Sequence, residues 1–182
     1  MFRFEKVETA SFRADYAKHA DFCELFEREM KPFYLLAFLL TANHQDAEKC
    51  FAAAVAEALE EPVVFKEWAE SWVKRSLVRN AIGIVSPASP RSGDKRNLWN
   101  RGQNEAPGDN EIDAVTQLAP FERFVFVMSI LERYSIWDCS LLLGCSMKKV
   151  IQARMRALRR RSNPDARFPE VEAPVSHCVA VA

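Results

Sequence analysis

Six side chains near the C-terminal end, Lys148, Lys149, Gln152, Arg156, Arg159 and Arg160, have types and spacing that suit a definite chemistry. At about 100° per residue along a helix they fall within one sector about 120° wide. Met147, Val150, Ile151, Met155, Ala157 and Leu158 fall on the other side. Between Met147 and Arg161 there is no acidic residue at all. A helix with one apolar face and one face of cations plus a glutamine fits the major groove of DNA. Its cations meet phosphates, lysine or arginine donates to guanine, and glutamine pairs with adenine. A basic face can also be merely solvated, so the elements that would have to present it decide between the two.

Those elements read as a helix-turn-helix. Leu118 to Leu131 has the spacing of an amphipathic helix, Ile136 to Leu143 is a short helix, Gly144 makes a tight turn, and Met147 to Arg161 is the final helix. Ser146 stands where it would cap that helix, aiming its first residues at base edges. Upstream, Phe22, Leu25, Phe26, Phe33, Leu36, Phe38, Leu39 and Leu40 recur at helical intervals, with Pro32 expected to open a second helix after a break. Asp46 is expected to cap the next helix, Ala47 to Leu59. A fourth runs from about Phe65 to Val85, with Trp68, Trp72, Val73, Leu77, Ile82 and Val85 on its buried side. Residues 86–110 collect Pro, Gly, Ser and Asn without periodicity and read as a flexible linker in which Trp99 is the one large apolar residue. The tail, residues 162–182, holds Pro164, Pro169 and Pro174 and is expected to be mobile. The fold class expected is all-α, two small helical domains (20–85 and 111–161) joined by the linker 86–110.

Composition sets the bounds. The 182 residues, 49% hydrophobic, suffice for one ordinary domain or two small ones. Lys plus Arg and Asp plus Glu number 25 each, so the net charge is zero, which argues against indiscriminate coating of nucleic acid. Cys23, Cys50, Cys139, Cys145 and Cys178 show no CxxC spacing and read as buried reduced thiols. The scattered His19, His44 and His177 offer no ligand pair, so no metal or cofactor is expected. The apolar stretch Phe33 to Leu40 is far too short to cross a bilayer, no membrane partner is expected, and the cytoplasm is the expected location. No catalytic constellation is present: Asp46 and Glu48 lie at a helix start, which stabilises carboxylates, with no other catalytic group beside them.

Taken in order, these residues resemble a family. Leu118-Ala119-Pro120-Phe121-Glu122-Arg123-Phe124-Val125-Phe126-Val127, Tyr134-Ser135, Leu143-Gly144-Cys145-Ser146 and Val150 are similar to region 4 of extracytoplasmic-function sigma factors of the sigma-70 family. Glu24-Leu25-Phe26, Lys31-Pro32, Tyr34, Ala37, Leu40, Asp46-Ala47-Glu48 and Arg79-Asn80-Ala81-Ile82 are similar to its region 2. The resemblance covers about residues 20–160. It implies a region 2-like bundle that binds the clamp of core RNA polymerase and opens promoter DNA near the −10 element. It also implies a region 4-like domain that reads the −35 element, and an anti-sigma factor as a possible controlling partner. Polymerase contact is thereby implied for the helix that carries Asp46, Glu48 and Lys49.

The chain departs from that pattern in places. Lys49, Ala52 and Ala53 stand where the family carries acidic, Gln and Glu side chains toward the clamp, which removes charge-assisted contacts. The segment from Leu59 to Trp68 is shorter than the family's loop for a flipped −10 base, and Arg154 sits where an aliphatic residue is usual. Phe22, Phe26, Phe33, Tyr34, Phe38 and Phe51 are expected in the core rather than as a base-stacking surface. Trp68 and Trp72 are expected to pack the fourth helix onto the third rather than to grip melted DNA. Three functions therefore stand: an initiation factor, a sigma-derived DNA-binding regulator that does not melt promoters, and a helical module that binds a protein.

Overall fold

The computed structural model describes residues 15–60, 62–88 and 111–162, all helices and connections apart from one isolated bridge between Tyr16 and Phe65. The chain is all-α among these residues. Most of the linker, with Trp99, lies outside them, as do the tail beyond Ser162 with His177 and Cys178 and the side chain of Arg161.

Helix α1 spans His19–Thr41. Asp21 starts it, accepting from the Lys18 amide at 2.9 Å and ion-pairing with Lys66 Nζ at 2.6 Å. The break expected at Pro32 is a kink: Glu29 leaves helical geometry (φ −104°, ψ 18°) while the helix continues through the proline. Pro32 has no amide to donate and its ring crowds the carbonyl of Arg28, so the bend falls in the preceding turn. Helix α2, His44–Leu59, is capped not by Asp46 but by Asn43, whose side-chain oxygen accepts from the Asp46 amide at 3.1 Å. Asp46 therefore sits inside the first turn.

A stripe of small residues, Ala47, Cys50, Ala54 and Ala58, is the buried face of α2 and lets its backbone come close to its neighbours. Helix α3, Ala69–Val85, follows a 3₁₀ turn at Lys66–Trp68 and buries Val73, Ser76, Leu77, Val78 and Ala81. Together α1, α2 and α3 make a three-helix bundle. Phe22 and Phe33 are fully inside it, and Phe26, Tyr34, Phe38 and Phe51 are half-buried around them. The two tryptophans part company. Trp72 packs edge-on against Phe22 of α1 at 5.6 Å, whereas Trp68 stays 56% exposed, its ring against Phe65.

Glu57 locks α2 to α3. Ser76 Oγ donates to it at 2.6 Å, Arg79 Nη2 at 2.9 Å and Asn80 Nδ2 at 3.0 Å. Burial alone would raise its pKa, but the Ser76 and Asn80 hydrogen bonds together with Arg79 outweigh that and hold the carboxyl below its ordinary value. A depressed folded-state pKa means stability that is present above the ordinary glutamate range and lost as pH falls through the folded value. Glu57→Gln is thus expected to cost about 1 kcal/mol at neutral pH, the carboxylate being partly solvated, and nothing further in acid. Urea titrations at about pH 7 and about pH 3 should show the two proteins converging as the pH falls; a gap that is constant with pH would disprove the role of the charge.

The second group of helices is built around one that is buried on every side. Helix α4 is short, Glu111–Thr116. Helix α5, Pro120–Phe126, begins with proline at its first position and continues into a π turn, Val127–Leu131, closed by the Glu132 amide on the Val127 carbonyl at 2.9 Å. The amphipathic pattern expected over Leu118 to Leu131 is not what the fold uses, since every residue from Phe121 to Ser129 is buried. An all-round apolar helix belongs at the centre of its unit. Helices α6, Ile136–Leu142, and α7, Met147–Ser162, pack around it.

The two groups meet at the C-terminal end of α1, and their buried residues form one cluster. Arg123, itself buried, donates Nε to the Leu40 carbonyl at 3.0 Å and Nη2 to the Thr41 carbonyl at 3.2 Å. Its Nη1 reaches the carbonyls of Thr116 and Leu118 at 3.2 and 3.3 Å. Lys74 of α3 adds an ion pair to Glu132 at 3.2 Å.

Candidate nucleic-acid interface

Helix α6 starts at Ser135, whose hydroxyl oxygen accepts from the Asp138 amide at 3.0 Å, and ends in the turn Leu143-Gly144-Cys145-Ser146. Gly144 has φ +59°, the left-handed conformation that L side chains adopt at a cost, and the Cys145 amide returns to the Ser140 carbonyl at 3.0 Å. This turn reverses the chain sharply enough that α7 packs on both α5 and α6. The Ser146 carbonyl receives the Lys149 and Val150 amides at 3.0 and 3.3 Å, so the helical ladder of α7 begins directly after the turn.

Among the described side chains of α7 a narrow strip is buried: Val150, Ala153 and Ala157. The alanines bring α7 close to its neighbours, and the contact is correspondingly thin. Of the apolar residues expected on the inner side, Met147, Ile151, Met155 and Leu158 are exposed. Arg154 is half-buried.

The candidate DNA-binding residues divide into two groups. Lys148, Lys149, Gln152 and Arg159 are exposed on one side of α7. Arg156 and Arg160 are instead turned toward a carboxylate that periodicity did not single out: Arg156 Nε donates to Glu122 Oε1 at 2.7 Å, and Arg160 Nη1 lies 2.9 Å from Oε2. The second approach is close enough for an ion pair but angled so that Oε2 receives no hydrogen bond. Glu122 is buried on α5, while both arginines remain partly exposed. The pair therefore fixes the rotation of α7 about its axis, and with it which residues point outward.

The residues expected to meet polymerase lie on a different element, at the start of α2. Glu48 and Lys49 are exposed, and Lys49 Nζ pairs with Asp46 at 3.0 Å. Cys50 and Cys139 are buried thiols pushed by burial up to about 12 and about 11; Cys23 and Cys145 are half-buried, and all four are free. Among the described residues no group of three His, Cys, Asp or Glu side chains is placed to hold a metal ion, and no helix is long and apolar enough to cross a membrane. No family model, curated protein or solved structure matches the chain.

Proposed function

We propose that this chain is a sigma-like transcription initiation factor. Its N-terminal bundle, residues 20–85, binds core RNA polymerase and serves the −10 element, and the helix-turn-helix within 111–161 reads the −35 element of promoter DNA. The observation that carries this reading is α7 itself. It is a helix presented by a tight turn, anchored from behind by Glu122, and exposing Lys148, Lys149, Gln152 and Arg159 together on its outer side. That combination supplies phosphate contacts for register and a glutamine for base readout. Zero net charge is consistent with a molecule that offers one surface to protein and another to DNA. One observation favours a second reading, a DNA-binding regulator that does not melt promoters. At the start of α2 the Asp46 carboxylate is already engaged by Lys49, and Ala52 is exposed where a polar contact to polymerase is expected.

Run-off transcription with core RNA polymerase on genomic fragments separates these. Specific starts support the initiation factor, binding without starts supports the regulator, and neither outcome leaves a helical protein-interaction module. In DNA-binding titrations across a salt series, alanine at Lys148, Lys149, Gln152 or Arg159 should act in one of two ways. A base-reading contact should cost about 1–3 kcal/mol and relax preference at one position. A phosphate contact should weaken all sequences alike and reduce the salt slope by about 1. If all four substitutions together alter neither affinity nor salt slope, α7 is not the reader.

A further inference from the structure

The apolar strip left open on α7 needs an occupant of its own. Met147, Ile151 and Met155 are 51%, 47% and 50% exposed, although the helix has a buried strip of its own in Val150, Ala153 and Ala157. At about 100° per residue the three occupy one sector about 80° wide. It lies directly beside the sector of Lys148, Gln152 and Arg159 on the side away from Glu122. A helix that only met phosphates would have no use for this strip, and water does not favour it.

Resting on the DNA-reading function proposed above, we infer that Ile151 and Met155 read thymine, packing against the C5-methyl groups that line the major groove, next to a base contact from Gln152. The thymine methyl is the one apolar group that a base edge offers there. The two side chains suit it differently: β-branched Ile151 is a stiff surface, and unbranched Met155 adapts to the spacing of the next base pair. Gln152 follows Ile151 directly, and glutamine pairs with adenine N6 and N7, so neighbouring positions of α7 would favour A·T pairs from both edges. Duplex DNA, rather than a protein partner, is the occupant because the cations bordering the strip complement a polyanion on the same approach.

The test uses the full chain, with and without core RNA polymerase. Its preferred duplexes are selected from a random pool, and each thymine in them is then replaced by deoxyuridine, which deletes only the methyl. One or two positions should lose affinity about fourfold each, the equivalent of about 0.8 kcal/mol per methyl-sized group removed from apolar contact. Ile151→Ala or Met155→Ala should abolish that sensitivity at its own position; both residues are on the surface, so the fold is not at risk. Selective binding that is indifferent to deoxyuridine overturns the inference and leaves DNA recognition standing. So does methyl sensitivity that survives both alanines, which would leave the strip to a protein partner. Failure to select any duplex under either condition overturns the inference and the DNA-reading function together.

Discussion

Arg123→Met is expected to lower the unfolding free energy by about 3–5 kcal/mol, because it empties a buried cation site whose acceptors cannot turn elsewhere. Among the described residues no carboxylate is bonded to the guanidinium. It is held by four carbonyls: Leu40 and Thr41 at the end of α1, Thr116 at the end of α4, and Leu118 just beyond. The last carbonyls of a helix lack partners within it and carry the negative end of its dipole, so two helix ends converging on one cation stabilise it as a counter-ion would. Burial pushes its pKa down to about 10, which leaves it charged at neutral pH. Methionine would replace most of the stem but donate nothing, and each orphaned carbonyl costs about 1–3 kcal/mol. Lysine should fall between the two, since one ammonium cannot reproduce a planar fork spread over carbonyls from two helices. Urea unfolding gives the free energy, and the melting temperature should drop by about 6–20 °C. A loss under about 1 kcal/mol would mean that the two groups of helices are held together by apolar packing and the Lys74–Glu132 ion pair, without need of the Arg123 hydrogen bonds.

The periodic features of this chain were legible in its sequence, and the pairings between distant residues were not. Among the described residues helical spacing located α1, α2, α3 and α7 because each buries a face of its own, whereas α5 is apolar all round and its one-sided pattern was misleading. Its errors are local and physical. Pro32 bends α1 at Glu29 instead of ending it, since the flanking turns remain bonded. Asn43 takes the cap assigned to Asp46 because either side chain can accept an amide hydrogen, and the chain turns three residues earlier. Trp68 stays exposed because it belongs to the 3₁₀ turn before α3 and not to the helix face. On α7, angle counting found the outer cations but overestimated the inner face, because the width of a buried strip depends on how closely the neighbouring helices approach. A signal for the missing contacts did exist. Glu122 and Arg123 are the only charges in the run from Phe121 to Leu131. Charges inside an apolar run must find partners when it folds, and their partners turn out to be α7 on one side and the end of α1 on the other.

Glu122→Gln is expected to destabilise the fold by about 2–3 kcal/mol and, at the same time, to steepen the salt dependence of DNA binding. The glutamate side chain is 7% exposed and engages Arg156 at 2.7 Å and Arg160 at 2.9 Å. Glutamine preserves its volume but turns an attractive double contact into one in which an amide N–H₂ faces a guanidinium. Because both arginines are partly solvated, they can swing outward rather than remain buried without a counter-charge, and this keeps the loss below that of a fully buried pair. On the outer side they would join Lys148, Lys149 and Arg159. Each added phosphate contact raises the slope of log affinity against log salt by about 0.9, so the variant should gain up to about 1.8. In the native chain, with both arginines held by Glu122, Arg156→Ala and Arg160→Ala should hardly change the slope, whereas in the glutamine background the same substitutions should return it to the native value. Anisotropy titrations across a potassium chloride series, with helicity monitored for each variant, measure all of these terms in one cycle. A glutamine variant that stays folded with an unchanged or shallower slope would mean that Arg156 and Arg160 do not reach phosphate even when released, and that the DNA-facing side of α7 ends at Arg159.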